Sequence, residues 1–193
     1  MAILASTILT TKFGPFKVNY HKNKKYQCIS FSYGNLTKGV PIVRLHSACL
    51  FGELFKSLHC DCGEHIPKAM KIIQKHGNGI IIYSYQEGRG IGLLKKIKAM
   101  EIQRTKNCDT VEAFKLLGFK KSDYRDYKVE IGALKNLMVS KNIITFAGNP
   151  HKISSLKKAG YQIKKLIKPY RGHLSKLARD EIRTKKQKMG YIY

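Results

Sequence analysis

The stretch that organises this 193-residue sequence runs from Arg44 to Gly63 and reads RLHSACLFGELFKSLHCDCG. It holds three of the five cysteines, Cys49, Cys60 and Cys62, with two histidines beside them. Thiolates are good Zn²⁺ ligands, and three protein ligands leave a fourth tetrahedral position for water. An open position suits catalysis, because the ion lowers the pKa of its bound water to about 7. The stretch is therefore a candidate catalytic zinc site.

The cysteine spacing alone leaves a second interpretation open. Cys49 could be a buried thiol that packs as a small apolar side chain, and Cys60-Asp61-Cys62 a reactive or incidental pair. The pattern is not the double C-x-x-C of a zinc knuckle. The rest of the chain has to distinguish a metal site from ordinary thiols.

Composition points to a globular domain with an anionic partner. A chain of this length, 43% hydrophobic, can bury a core as one domain. Its 37 basic and 12 acidic residues give a net charge of +25, which favours nucleic acid or a polyphosphate metabolite as partner. The lysines are scattered, however, and no helix-turn-helix, RRM or KH motif accompanies them.

Targeting signals are not apparent. The segment Met1 to Thr11 has no charged n-region or cleavage pattern, so no signal peptide is predicted. The longest wholly apolar run is about five residues, far short of the roughly 20 of a membrane helix. An odd number of cysteines, clustered as ligands, predicts a reducing cytoplasm.

The order of elements predicts an α+β fold. Antiparallel strands are expected within Thr7–Tyr20 and Lys25–Tyr33, followed by alternating β and α segments. We expect a single compact domain, with an antiparallel β-rich N-terminal part followed by β/α units over residues 1–173 and a basic terminal helix or tail over 174–193. The later expected strands are Pro41–His46, Gly79–Tyr83, Asn142–Phe146 and Tyr161–Ile167. The first expected helix follows Gly63. The other expected helices are Leu93–Arg104, a short segment from Asp109 to Gly118, Ile131–Met138, a segment from Asn149 to Gly160, and Leu174–Met189.

Three further segments are candidate anion sites. Glu87-Gly88-Arg89-Gly90-Ile91-Gly92 lies between a strand and a helix, where backbone amides can hold a phosphate, although a glycine-rich turn is often only structural. Asp123-Tyr124-Arg125-Asp126-Tyr127 offers Arg125 as a phosphate ligand or reacting group, or else is a solvated loop with local ion pairs. Asn149-Pro150-His151-Lys152 places Lys152 in the first turn of a helix, or is simply a capped helix start.

Taken in this order, the motifs closely resemble GTP cyclohydrolase II of the riboflavin pathway. The motifs are Arg44-x-His46-Ser47-x-Cys49, Cys60-Asp61-Cys62-Gly63, Gln86-Glu87-Gly88-Arg89-Gly90-Ile91-Gly92-Leu93, Asp109-Thr110-Val111-Glu112-Ala113, Leu117-Gly118-Phe119, Asp123-x-Arg125-Asp126-Tyr127, Asn149-Pro150-x-Lys152 and Lys188-Met189-Gly190. The resemblance covers nearly the whole chain. It implies an enzyme that takes GTP with Zn²⁺ and Mg²⁺, and it suggests a homodimer.

The resemblance also implies the chemistry and its residues. Zinc-activated water attacks C8 of guanine, the imidazole ring opens and formate leaves, while pyrophosphate is released by attack on the α-phosphate. The product is a diaminopyrimidinone ribosyl phosphate. By resemblance, the zinc ligands are Cys49, Cys60 and Cys62; the catalytic residues are Arg125, as nucleophile in pyrophosphate release, and Asp123, as proton acceptor; the substrate-binding residues are Arg44, Leu45, His46, Ser47, His65, Glu87, Gly88, Arg89, Thr110 and Lys152.

Four positions depart from the family pattern. Ala48 replaces a glutamate before the first zinc ligand, His65 a glutamine that contacts nucleotide, and Ala147 a threonine. Met100 replaces a tyrosine thought to act in catalysis, and a thioether cannot usefully transfer a proton. We therefore expect a divergent paralogue that could leave the formyl group attached, as a formamidopyrimidine product, or act on a modified purine nucleotide.

Two non-catalytic hypotheses remain. The charge of +25 favours a nucleic-acid-binding protein on the same fold, whereas three retained cysteines and Arg125 argue for catalysis. A paralogue that binds GTP without turnover is the other alternative. Metal analysis with a GTP turnover assay separates the three.

Overall fold

The computed structural model describes residues 1–24, 26–169 and 174–193. Seven strands in this part of the chain form one mixed sheet in the order β1-β2-β3-β5-β4-β6-β7. The strands are β1 Ala2–Thr11, β2 Gly14–Lys22, β3 Gln27–Tyr33, β4 Ile42–Ser47, β5 Gly79–Ser84, β6 Asn142–Phe146 and β7 Gln162–Ile167. The α-helices are α1 Leu50–Glu53, α2 His65–His76, α3 Leu93–Lys106, α4 Thr110–Leu116, α5 Lys128–Asn136, α6 Pro150–Lys158 and α7 Lys176–Met189. The predicted α+β fold is confirmed.

The N-terminal half of the sheet is antiparallel, as expected. β1 pairs with β2, β2 with β3, and β3 with β5. The predicted segment Thr7–Tyr20 contains a tight turn at Gly14, whose φ is +98°, and the first strand starts earlier, at Ala2. β1 is exposed along nearly its whole length, so it lacks the apolar alternation that would have marked its start. Lys25, the predicted start of the third strand, lies outside the described residues, as do positions 170–173 at the predicted boundary before the terminal helix.

The C-terminal half of the sheet is parallel, and its strand order creates a crevice at one edge of the sheet. β4 lies between β5 and β6 and is parallel to both. The chain leaves β4 through α1 and α2 to β5 on one side, then passes through α3, α4 and α5 to β6 on the other. Ligands bind at such a switch point, outside the carboxyl ends of the strands. The loops after Ser47, Ser84 and Phe146 meet at this edge.

The core occupies both faces of the sheet. Successive side chains of a strand point to opposite faces, so Ile42 and Ile81 pack with residues of α2 while Val43 and Ile80 pack on the side of α5 and α6. β5 is accordingly apolar from Ile80 to Tyr83, as is typical of strands covered on both faces, whereas Arg44 and His46 interrupt the buried run of β4.

Most helix predictions are confirmed, with shifted ends. α2 begins at His65, soon after Gly63 as expected, and buries Ala69 and Ile73. The predicted helix Ile131–Met138 instead spans Lys128–Asn136, because Met138 has a φ of +50° and cannot continue a right-handed helix. Among the described residues no helix has both the length and the apolar character needed to cross a membrane.

Candidate active site

Three cysteines converge beyond the carboxyl end of β4. Cys49 precedes the first turn of α1, and Cys60 and Cys62 lie in the loop that leads to α2. Their Sγ atoms all lie within 4.8 Å of one another, with Cys49 and Cys60 at 3.7 Å. Gly52 lets the chain fold this tightly, since a Cβ there would stand 2.7 Å from the Cys60 Sγ.

This triangle has the dimensions of a zinc site. Zn–S bonds of about 2.3 Å at tetrahedral angles place two sulfurs about 3.8 Å apart, which matches the 3.7 Å observed. The three sulfurs therefore fit as ligands, and the site opens on a cavity where a fourth ligand has room.

A second possible ligand set is less suitable. Asp61, Cys62 and His65 also bring their ligand atoms within 4.8 Å. However, His65 Nε2 bonds Asp61 Oδ2 at 3.1 Å, and His65 Nδ1 accepts from Arg44 Nη2 at 3.1 Å. Both ring nitrogens are thus already used within the protein, so the thiol triangle is the better candidate.

The environment of the thiols favours one thiolate. Hydrogen bonds from Cys60 and Cys62 lower the pKa of Cys49, and the Lys96 ammonium adds to this effect. The pKa of Cys60 rises to about 11, chiefly through its hydrogen bond with Cys49. Lys96 Nζ lies 3.4 Å from the Cys49 Sγ and 2.7 Å from Glu87 Oε1. The lysine therefore couples the cysteine site to the glycine-rich turn.

The cavity beside the thiols has a volume of about 840 Å³, within the ~300–1,000 Å³ usual for small-molecule sites. Eight basic and five acidic side chains line it, so it favours an anion. All three cysteines line it, together with these substrate-site candidates: Arg44, His46, Ser47, His65, Glu87, Gly88, Arg89, Thr110 and Lys152.

The glycine-rich turn presents Arg89 to this cavity. Gly88 and Arg89 have φ values of +61° and +57° within the 3₁₀ turn Glu87–Gly90. Arg89 donates to Ser122 O at 3.0 Å and to Thr110 Oγ1, and its guanidinium stacks on the Phe114 ring at 4.6 Å. Glu87 Oε2 accepts from the Leu50 amide at 2.7 Å and so joins the turn to α1.

Three side chains that line the cavity, Arg44, His46 and Lys152, are buried and lie close to one another. Burial and the neighbouring Arg44 and Arg125 charges hold the pKa of Lys152 well below its usual value. Burial, with Arg44 and Lys152, likewise lowers the pKa of His46, whose Nε2 bonds Glu53 Oε1 at 2.8 Å. A bound anion would relieve this crowding of positive groups.

Asp123 and Arg125 form a two-bond pair. Arg125 Nε and Nη2 donate to the Asp123 carboxylate at 2.9 and 2.5 Å, and Asn149 Nδ2 donates to Asp123 Oδ2 at 3.0 Å. Burial would raise the pKa of Asp123, but the Arg125 hydrogen bond and charge lower it overall. Arg125 lines the main cavity, whereas Asp123 lies behind it, beside a smaller cavity of about 280 Å³.

Not every residue that the sequence singled out lines the cavity. The Leu45 side chain packs in the core rather than facing the cavity, and its carbonyl accepts from Lys152 Nζ at 2.7 Å. Ala48 and Met100 do line the cavity, whereas Ala147 is buried behind it. His59 also lines the cavity, although it is exposed.

Sequence reasoning missed the contribution of α7, which lies over the cavity. Lys185 is 8% exposed and pairs with Glu181 at 3.2 Å, and Glu181 also lies 3.5 Å from Arg89. Tyr191 reaches Arg125, with 2.6 Å between the hydroxyl and Nη2. The 3.6-residue period of α7 could have flagged a buried face, but its lysine-rich composition hid it.

Comparisons with known proteins converge on one family. A family model described as GTP cyclohydrolase II matches residues 3–168. A GTP cyclohydrolase-2 of Buchnera aphidicola is 40% identical over 192 residues, covering 98% of this chain and 96% of that protein. The riboflavin biosynthesis protein RibBA of Endomicrobium trichonymphae is 38% identical, covering 95% of this chain and 45% of that protein. A GTP cyclohydrolase-2 of Archaeoglobus fulgidus is 36% identical, covering 98% and 49%. The chain spans about half the length of these last two relatives.

One solved structure gives a looser match. A two-domain 3,4-dihydroxy-2-butanone 4-phosphate synthase from A. baumannii matches with a TM-score of 0.45 at 12% identity, covering 89% of this chain and 40% of that chain. A likeness of this degree carries no functional inference.

Proposed function

The chain belongs to the GTP cyclohydrolase II family, and we propose that it opens the imidazole ring of GTP in a zinc-dependent hydrolysis that serves riboflavin biosynthesis. Family membership confirms the prediction of an enzyme, a hydrolase of the GTP cyclohydrolase II type. The observation that carries the proposal is the thiol triangle at the wall of a basic cavity that also holds Arg125.

In this proposal Cys49, Cys60 and Cys62 hold Zn²⁺, which when bound supplies a water of lowered pKa for attack at C8. Lys96 offsets the negative charge of the thiolates from 3.4 Å away. His46, kept neutral by its lowered pKa, can hydrogen-bond without adding a charge. Mg²⁺ accompanies the triphosphate, as is usual for nucleotide sites.

The phosphates lie against the basic lining. Arg89 is suited to a phosphate because its planar guanidinium offers several parallel donors. Arg125 attacks the α-phosphorus: one guanidinium proton passes to Asp123, a nitrogen lone pair forms the P–N bond, and the P–O bond to pyrophosphate breaks with its electron pair on the leaving oxygen. Water then hydrolyses the P–N bond and releases the nucleoside monophosphate.

Met100 decides which product accumulates. It lines the cavity from α3 and carries no group that can transfer a proton. We propose that ring opening occurs while deformylation is slow, so that a formamidopyrimidine phosphate accumulates beside the diaminopyrimidinone. If the substrate is a modified purine nucleotide, the product has the mass of that nucleotide after ring opening.

The experiment is an incubation of the zinc-loaded protein with GTP and Mg²⁺, followed by mass spectrometry and separate assays of pyrophosphate and formate. We expect pyrophosphate in excess of formate. Cys60→Ala should abolish ring opening, whereas Cys108→Ala, which removes a thiol outside the triangle, should retain it. Formate equal to pyrophosphate at normal turnover would refute the altered product.

A nucleic-acid-binding or non-catalytic nucleotide-binding function is the second candidate, favoured by the net charge of +25. Its signature is salt-sensitive RNA or DNA binding that does not depend on zinc. Gel filtration tests the proposed homodimer, and cell fractionation tests the proposed cytoplasmic location.

A further inference from the structure

The segment after α7 turns back into the cavity. α7 ends at Met189, and Gly190, which caps it, has a φ of +67°. The Tyr191 amide then donates to Lys185 O at 3.1 Å, and the Ile192 amide donates to Gly148 O at 2.8 Å, in the loop that follows β6. These bonds place Tyr191 in the cavity wall, with its ring stacked against Tyr193 at 6.0 Å.

Tyr191 completes a three-point hold on the Arg125 guanidinium. Nε and one N–H of Nη2 donate to Asp123, while Nη2 also donates to the Tyr191 hydroxyl at 2.6 Å. Both protons of Nη2 are therefore engaged. Nη1 has no hydrogen-bonding partner among the described residues, so it is the guanidinium nitrogen left to meet a ligand.

We propose that Tyr191 is a positioning residue for Arg125, and this inference rests on the proposed function. Asp123 is itself anchored by Asn149, but an anchored carboxylate still allows the guanidinium to pivot towards a polyphosphate. The Tyr191 hydroxyl prevents that pivot. It keeps the Arg125–Asp123 pair assembled for proton transfer and leaves Nη1 as the nitrogen available to the phosphate oxygens.

Loss of this hold has a distinctive kinetic consequence. Without the phenol, the freed Nη2–H can bond a phosphate oxygen in the ground state, which strengthens substrate binding without helping the reaction. The turnover rate should therefore fall while KM stays constant or decreases. A residue that only docked the C-terminal segment would raise KM instead, because Lys185 and Glu181 would leave the cavity with it.

The test compares Tyr191→Phe with the wild-type protein in pyrophosphate release from GTP. The variant keeps the ring and its stacking but removes the hydroxyl, so we expect kcat to fall about 10-fold, as for one hydrogen bond of about 1.4 kcal/mol, with KM not raised by more than about twofold. Tyr161→Phe is the matched control, since Tyr161 lies in the core and its buried hydroxyl has no hydrogen-bond partner in the part of the chain that the structure describes. It should leave both constants unchanged.

Three outcomes would overturn the inference. Unchanged kcat in Tyr191→Phe refutes it, and so does a fall in kcat accompanied by a rise in KM and a lower melting temperature, which indicates a docking role. If the wild-type protein releases no pyrophosphate, the proposed function fails and the inference falls with it, an outcome distinct from the other two.

Discussion

Gly52 offers the sharpest perturbation of the thiol triangle. A Cβ added there would lie 2.7 Å from Cys60 Sγ, 3.0 Å from Cys62 Cβ and 3.3 Å from Cys49 Sγ. Gly52 lies in α1 with ordinary helical backbone angles, so alanine is tolerated by the backbone itself. Gly52→Ala therefore tests the proposed metal site without straining the backbone of α1.

Gly52→Ala should slightly stabilise the metal-free protein but weaken its binding of Zn²⁺. Alanine in place of glycine within a helix stabilises by up to about 1 kcal/mol, although the short α1 gains less. The Cys60 sulfur must move by several tenths of an ångström, beyond the roughly 0.2 Å tolerance of metal–ligand distances. Zinc binding of about 10–16 kcal/mol, shared among the ligands, makes the loss of one worth about 3 kcal/mol, or about 10²-fold in affinity.

The assay is a competition titration for Zn²⁺ with a chromophoric chelator, together with thermal unfolding of the metal-free protein. Gly132→Ala is the matched control: Gly132 lies in α5, and among the described residues its added Cβ meets only Met1, at 3.6 Å or more. That variant should bind Zn²⁺ as the wild-type protein does. Wild-type affinity in Gly52→Ala would refute the assignment of the thiol triangle as the metal site.

Three further predictions concern the cavity. Met100→Tyr should raise formate released per pyrophosphate, measured in the same incubation, and an unchanged ratio would show that a phenol there does not act in deformylation. Lys185→Met should weaken binding of a non-hydrolysable GTP analogue about 10–100-fold, as expected for a hydrogen bond to a charged group. Lys186→Met, on the exposed side of α7, should leave that affinity unchanged. Calorimetry measures both variants, and equal affinities would show that Lys185 does not bind the nucleotide. Asp123 has a lowered pKa in the folded protein, so its stabilising effect is present above its unfolded pKa of about 3.9 and is lost as the pH falls below that value. The difference in unfolding free energy between wild-type and Asp123→Asn should therefore shrink on acidification, and a difference independent of pH would contradict the ion pair with Arg125.

Local sequence was a good guide wherever the relevant interaction is local. The capping box of Asp109 and Glu112 and the proline after Asn149 fix helix starts through contacts a few residues apart, and both occur as predicted. β1 was placed poorly because its residues are exposed and lack a burial pattern.

Contacts between distant segments were less accessible from sequence. Lys96 meets Cys49 from 47 residues away, and Tyr191 meets Arg125 from 66 residues away. Neither residue type nor spacing predicts such a meeting. It depends on how α3 and α7 cross the carboxyl ends of the parallel strands. The motifs therefore indicated the walls of the cavity, while its cover came only from the tertiary structure.

The most direct test of zinc-dependent GTP hydrolysis is one measurement, the mass spectrum of products after the zinc-loaded protein is incubated with GTP and Mg²⁺. We expect pyrophosphate and a ring-opened pyrimidine phosphate, with ring opening lost after Zn²⁺ is removed by a chelator and restored when Zn²⁺ is returned. Intact GTP in the presence of bound Zn²⁺, or ring opening that persists in the metal-free protein, would contradict the proposal.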